Sequence, residues 1–194
     1  MQNTMLKKQI VIDILHKSFK DNQSTNFVIR QDHKKDKRIK ILLEYSYAKG
    51  EQHGKIYLSP DQHACAIVLF PEQEKTTLKG LYYMLKLLFG SIGLFRVGKI
   101  MNREKTIKQH HPDHEFIHLW YLGVNPEQQG KGLGTELMNH ILEESKKIHK
   151  PIFLETSNEK NFQFYERLGF KRIAEMDDLG YPLKMYLNNH PDKL

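Results

Sequence analysis

At 194 residues the chain has room for one domain with a sizeable core, and its 39% hydrophobic and 27% charged content is an ordinary globular balance. A single cysteine, Cys65, excludes an internal disulfide framework and fits a reducing compartment. The net charge of +7 admits nucleic acid, an acidic membrane surface or an anionic small molecule, but no zinc-finger spacing, RNP aromatic motif or heptad run accompanies it.

MQNTMLKKQIVIDILHKSFK reads as an amphipathic helix from about Met5 to Lys20, and its charges and missing small-residue cleavage site argue against a signal peptide. Cations concentrate in HKKDKRIK, His33 to Lys40, which reads as solvated surface. A second helix from about Asp36 to Ala48 sets Ile39, Leu42, Leu43 and Tyr47 at helical spacing. GKIYLS and HACAIVLFP look like two strands of a hairpin joined across PDQ, with Cys65 buried in a strand rather than reactive. Residues 76 to 108 look helical but broken near Gly90 and Gly93. Within them Leu78 to Phe95 approaches the length of a membrane span, yet Lys79, Lys86 and three glycines interrupt it. That segment is expected to cover the core or a pocket mouth, and no membrane partner is expected. HHPDH is a loop: His110, His111, Asp113 and His114 lack the fixed helical spacing of metal motifs, so they are expected to be solvent-exposed and no metal is expected.

From Glu115 the pattern sharpens. FIHLWYLGV is a strand ended by Asn-Pro, on which period-two alternation puts His118, Trp120, Leu122 and Val124 on one face. LGTELMNHILEESKKIH is a helix with Leu133, Leu137, Ile141, Leu142 and Ile148 along one side, stopped by Pro151. PIFLETS is a second strand and NEKNFQFYERLG a second helix, closed by Gly169. FKRIAEM and LKMYLN finish as a pair of strands. The order β-loop-α-β-α-β-β makes the fold class α/β.

The stretch NPEQQGKGLGTEL carries glycines at 130, 132 and 134. A Walker A loop fails, because Gly130-Lys131 is followed by Gly132 and position 125 is Asn. A dinucleotide fingerprint fails, because the spacing is G-x-G-x-G and falls late in the chain. The pattern Gln/Arg-x-x-Gly-x-Gly/Ala between strand and helix is met by Gln129, Gly132 and Gly134. Such a loop turns successive N–H groups into one concavity at the positive end of a helix, and a glycine lets a diphosphate come close.

YLGVNPEQQGKGLGTEL followed by NEKNFQFYERLGF resembles the GNAT superfamily of N-acetyltransferases across about residues 115 to 187, while the first half matches less specifically. LETS with NFQFYERLGF also resembles the closing segment of puromycin-type N-acetyltransferases, which does not carry puromycin over as a substrate. The resemblance implies a single-domain GNAT (acyl-CoA N-acyltransferase) fold over residues 1–194, a mixed central sheet flanked by helices, with residues 76–108 on the acceptor side. It implies acetyl-CoA as co-substrate, its diphosphate on the backbone of Gln129, Gly130, Lys131, Gly132, Leu133 and Gly134 and on Thr135. Val124 would pair with the pantetheine arm, and the Leu122 N–H would polarise the thioester carbonyl. Tyr165 matches the tyrosine that protonates the departing thiolate; read from its neighbours alone, it is equally a core aromatic. Asn158, seven residues earlier, matches a cofactor-arm contact and is also a good helix N-cap.

His118 stands eleven residues before Gln129, where histone-type members carry a glutamate, and its reference pKa of about 6.5 suits a base. The alternatives are a hydrogen-bonded core histidine, Glu155 as base or as a structural carboxylate paired with backbone or Arg172, and a water relay. Tyr82, Tyr83, Met84, Leu87, Phe89 and Phe95 could cover an apolar amine or pack on the sheet. The function expected is N-acetylation of a small-molecule primary amine by direct attack, in the cytoplasm, by a monomer or homodimer. Its rivals are a protein lysine or N-terminal acetyltransferase, a non-catalytic CoA-binding sensor and, led by the basic run, a nucleic-acid binder.

Overall fold

The computed structural model describes residues 2–189. Helix α1 spans Gln2–Phe19 and buries Val11, Ile12, Ile14 and Leu15, a two-turn apolar stripe. Helix α2, Gln23–Val28, is missing from the sequence reading because six residues are too few to show a period. Its signal is the cap Asn22, whose side chain accepts from the Thr25 N–H at 2.9 Å. Helix α3, Lys35–His53, buries the expected Ile39, Leu42, Leu43 and Tyr47. The basic run at its start is not all solvated. Arg38 is buried, 2.6 Å from Asp32 Oδ2, and donates to the Gly90 carbonyl at 2.7 Å. Its hydrogen bonds hold the Asp32 carboxyl well below the usual carboxylate range.

Strands β1 (Gly54–Leu58) and β2 (Ala64–Leu69) form the expected antiparallel hairpin, with Cys65 fully buried. Helix α4 is Leu78–Leu87; a π turn at Leu88–Ile92 and a 3-10 turn at Leu94–Arg96 separate it from α5, Val97–Lys108. Gly93, between the two turns, takes φ +81°, which explains the break there. Next come β3 (Ile117–Val124), α6 (Leu133–Lys147), β4 (Ile152–Thr156), α7 (Phe162–Arg167), β5 (Lys171–Met176) and β6 (Leu183–Asn188). Helix α6 ends before Pro151 because His149 takes the left-handed conformation, φ 55°. Ile148 is therefore past the helix and 47% exposed, not on its buried face.

The sheet order is β1-β2-β3-β4-β6-β5, with β3 and β4 parallel and every other pair antiparallel. Helices α1 and α3 cover one face, meeting Cys65, Ile67 and Tyr121; α6 and α7 cover the other, meeting Ala66, Val68, Leu119 and Leu154. A bulge at Trp120 breaks the β2–β3 register: Ile67 faces Tyr121 and Val68 faces Leu119. The extra residue reverses the alternation along β3. His118, Trp120 and Tyr121 turn toward the α1/α3 side, while Leu122 and Val124 pack with the α6/α7 core. The single face expected for His118, Trp120, Leu122 and Val124 is thus divided at the bulge.

The hairpin is packed to contact at Gly54, where an added Cβ would sit 1.9 Å from the Val68 carbonyl oxygen. Gly54→Ala should lower the stability by more than about 2 kcal/mol, read as a drop in denaturation midpoint, because backbone rather than a flexible side chain must yield.

Candidate active site

Strands β3 and β4 share only two ladder pairs, Ile117 with Ile152 and His118 with Phe153. Beyond them the strands part, and a cavity of about 540 Å³ opens there. Phe19, Tyr45, Trp120 and Tyr121 line it from the α1/α3 side, and Leu119, Leu122 and Tyr165 from the α6/α7 side. The cavity therefore passes through the gap in the sheet.

His118 and Glu155 meet in that gap. Glu155 lies two residues past Phe153 and so on the same face as His118, and His118 Nε2 is 2.8 Å from Glu155 Oε2. Burial works to raise the Glu155 pKa, but His118, Arg103 and His111 outweigh it and hold the carboxyl below its ordinary value. An ionised carboxylate only accepts, so the shared proton sits on His118 Nε2 and a neutral ring keeps its lone pair on Nδ1. Arg172, the expected alternative partner, instead pairs with Glu175 at 2.9 Å.

Arg103 and His111 are among the further polar side chains of the cavity lining that motif reading did not place there. Arg103 is buried, donates to Ser24 Oγ at 2.7 Å and pairs with Glu104. His111 is half-buried, with its ring 5.7 Å from that of His118 and edge-on to Phe116 and Phe153. Burial, then the neighbouring His118, lower its pKa to about 4. His111 is not the solvent-exposed residue expected, although His110, Asp113 and His114 are exposed. Among the described residues, neither His111 Nε2 nor Arg103 Nε has a hydrogen-bond partner. The sequence held a signal for both: Ile100, Arg103, Ile107 and His111 recur at three- and four-residue steps, one inward face of α5 and its continuation.

Tyr165 is buried, edge-on to Phe164 and Phe170, and also lines the cavity. It is thus both the core aromatic and a group facing the gap. Burial, reinforced by the Glu155 charge, pushes its phenol up. Asn158 is exposed and caps the turn before α7, accepting from the Lys160 N–H at 3.2 Å; Asn161, three residues on, lines the cavity instead.

The glycine-rich loop joins β3 to α6 outside the cavity lining. Gly130 and Gly132 take φ +79° and +86°, while an added Cβ at either meets nothing within 4 Å. Their glycines are required by backbone conformation rather than by crowding within the chain. No side chain caps α6, so the N–H groups of its first turn, from Leu133 through Thr135, have no intrahelical acceptor. The Gln129 N–H meets the Pro126 carbonyl at 3.4 Å, which moves the open donors to Gly130 and beyond. Lys131 reaches Gln128 Oε1 at 2.7 Å on the surface, and the Val124 carbonyl accepts from Ser18 Oγ at 2.9 Å. Among the described residues, no three His, Cys, Asp or Glu side chains are grouped to hold a metal ion.

Residues 86–170, from α4 to the end of α7, match the model of the acetyltransferase (GNAT) family. Over those residues the chain is similar to the GNAT acetyltransferases. Its α/β architecture with a mixed six-stranded sheet is the GNAT fold. A crystal structure of histone acetyltransferase HPA2 and related acetyltransferase from Corynebacterium glutamicum superposes with a TM-score of 0.68 at 19% identity, covering 94% of this chain and 90% of that one. The L-amino acid N-acyltransferase MnaT of Escherichia coli is 29% identical over 68 residues, 34% of this chain and 40% of that protein. A 5-NmdU N-acetyltransferase of Pseudomonas phage PaMx11 is 36% identical over 57 residues, 29% of this chain and 41% of that protein. The chain spans less than half the length of these curated relatives. Of the aromatic and apolar residues expected over the acceptor, the fold brings Leu87 to the main cavity and Tyr83 and Met84 to a smaller neighbour of about 230 Å³. Phe89 and Phe95 line neither.

The depressed His111 and Glu155 values fix the sign of an acid response. Between pH 6.5 and about 4 the unfolded chain binds a proton at His111 that the folded chain refuses, so stability is full above 6.5 and falls as the pH drops through that window. Glu155 adds a further loss below 4.5, its ordinary value. Urea midpoints measured across this range should show both losses, and His111→Phe should flatten the first.

Proposed function

We propose that the chain is an acetyl-CoA-dependent N-acetyltransferase that acetylates a small-molecule primary amine by direct attack, in a reducing, cytoplasmic setting. The observation that carries this reading is the His118–Glu155 pair in a cavity that pierces the sheet, with Tyr165 reaching the same gap from the other face. The residues present suit the donor: an uncapped α6 preceded by left-handed Gly130 and Gly132 offers consecutive N–H groups to a diphosphate. When bound, acetyl-CoA supplies the thioester whose acyl carbon the amine attacks.

His118, oriented by Glu155, takes the proton that a protonated amine must lose before its lone pair can attack. The Leu122 N–H, on β3 beside the gap, stabilises the oxyanion that forms as the carbonyl is attacked. Tyr165, kept protonated by its raised pKa, gives its proton to the departing sulfur. Arg103 and His111 bring a donor and a neutral ring to the acceptor side.

The acceptor class follows from the walls. Tyr45 and Trp120 stand edge-on, 6.1 Å apart, and suit an apolar or aromatic body. Lys49, Arg103 and Lys108 balance Glu74, Glu104 and Glu155 in the lining, so the +7 of the whole chain does not reach the acceptor site. A small cavity with such walls favours a small amine over a protein lysine, and the E. coli relative named for L-amino acids supports the same class.

Acetyl-CoA should raise the melting temperature by mass action, and no shift would sink the donor assignment. His118→Ala should slow turnover of an accepted amine by ~10²-fold or more at neutral pH. Tyr165→Phe should lower kcat by ~10²-fold with little change in acetyl-CoA affinity, and equal loss of both would remove its proton-donor role. Binding without thiol release across an amine panel would mark a sensor instead.

A further inference from the structure

Helix α4 is mounted with its apolar side outward. Leu78, Leu81, Tyr82, Leu85 and Phe89 fall at helical spacing and are 88%, 40%, 61%, 43% and 65% exposed. The turn that follows adds Leu94 and a wholly exposed Phe95. The opposite side holds the helix down: Leu87 is buried, Lys79 reaches Glu51 at 3.0 Å, Lys86 reaches Glu44 at 2.5 Å, and Lys8 of α1 donates to the Tyr83 hydroxyl at 3.2 Å. An amphipathic helix ordinarily turns its apolar stripe to the core, and a contiguous exposed patch of this kind marks a surface that meets something else.

The charge around the stripe decides what that is. From Lys75 to Arg103 there are six Lys and Arg and no Asp or Glu; Lys79 and Lys86 pair with α3 and Arg103 is buried, which leaves the border of the stripe to Lys75 and Lys99. Lys75 stands exposed just before Leu78, and Lys99 is exposed four residues after Phe95. A second copy docked on the same stripe would bring two cationic borders together with no carboxylate from the segment to pair them. An anionic bilayer meets both halves of the pattern, taking the apolar and aromatic side chains at its acyl boundary and the cations among its headgroups. Among the described residues no helix is long and apolar enough to cross a membrane, so α4, ten residues long, would lie in the surface plane.

We infer that the α4 stripe together with Leu94 and Phe95 is a docking surface for an anionic phospholipid bilayer. The inference runs against the expectation of no membrane partner. Leu81 and Met84 of α4 also line the smaller cavity, which shares Tyr45, Lys49, His53 and Glu74 with the main one. Docking therefore sets the acceptor side of the molecule beside the bilayer, a route for an amine that partitions into lipid.

The test is co-sedimentation of the full chain with vesicles of phosphatidylcholine, alone or mixed with phosphatidylglycerol. The chain should bind the mixed vesicles, more weakly as salt is raised, and bind pure phosphatidylcholine poorly. The double substitution Phe89→Ser with Phe95→Ser should weaken binding at least ~10-fold, since both rings leave the acyl boundary. Both residues are exposed and line neither cavity, so circular dichroism and the acetyl-CoA melting shift should be unchanged. Lys75→Glu with Lys99→Glu should weaken binding to the mixed vesicles alone. No binding to either vesicle overturns the inference, as does binding that the serine variant retains. A dimer in size-exclusion chromatography that the serine variant dissociates overturns it in favour of a second copy.

Discussion

After His118 and Phe153, β3 and β4 stop exchanging backbone hydrogen bonds while the sheet continues on both outer sides. The cavity and the grouping of side chains that line it depend on that parting. A paired sheet would be a wall between the α1/α3 face and the α6/α7 face. Once the strands diverge, their facing backbone groups need partners other than each other, and an extended ligand is the kind of partner that supplies them. The same divergence puts the His118–Glu155 pair at the last point where the two strands still touch. The His118–Glu155 pair on one face and the Tyr165 phenol on the other then line one space.

The bulge at Trp120 is the second device, and it works through parity. Without an extra residue, His118 and Leu122 would project to the same side of β3. With it, His118 and the aromatic wall belong to the α1/α3 side and Leu122 to the side of α6 and the glycine-rich loop. Polar groups at the gap are held from behind by elements far apart in sequence. Arg103 of α5 reaches Ser24 of α2, whose own N–H meets Ser157 Oγ at the end of β4. Burial there is only partly compensated, which is why His111 resists protonation and Glu155 holds its charge only through its neighbours, His118 first and then Arg103.

Much of this was legible residue by residue. Periodicity places α1, α3, α6 and every strand within a few residues, because each buries one face against the same core. Gly169 was legible as a helix cap, whereas Gly130 and Gly132 were read for the close approach of a diphosphate and not for the left-handed backbone they take, and Tyr165 read from its neighbours alone is a core ring. The errors have local causes. Helix α2 is too short for a period, and its cap Asn22 was the only cue. His149 ends α6 through its own backbone conformation, which composition does not encode, so Ile148 was assigned to a face it never joins. His111 was read with the loop around it rather than with Ile100, Arg103 and Ile107, whose face it continues.

The sequence by itself determined most of the elements, the α/β class and the glycine-rich loop between β3 and α6, since these rest on interactions a few positions apart. Only the tertiary structure decided the pairing of His118 with Glu155, the division of β3 at its bulge and the direction of α4. The apolar period along Leu78 to Phe89 is the same whether the stripe faces the core or the solvent. Burial of Leu87 and the contacts of Lys79 and Lys86 with Glu51 and Glu44 on α3 show which way it faces, and these contacts join residues roughly thirty to forty positions apart, beyond any window in which a helical period is read.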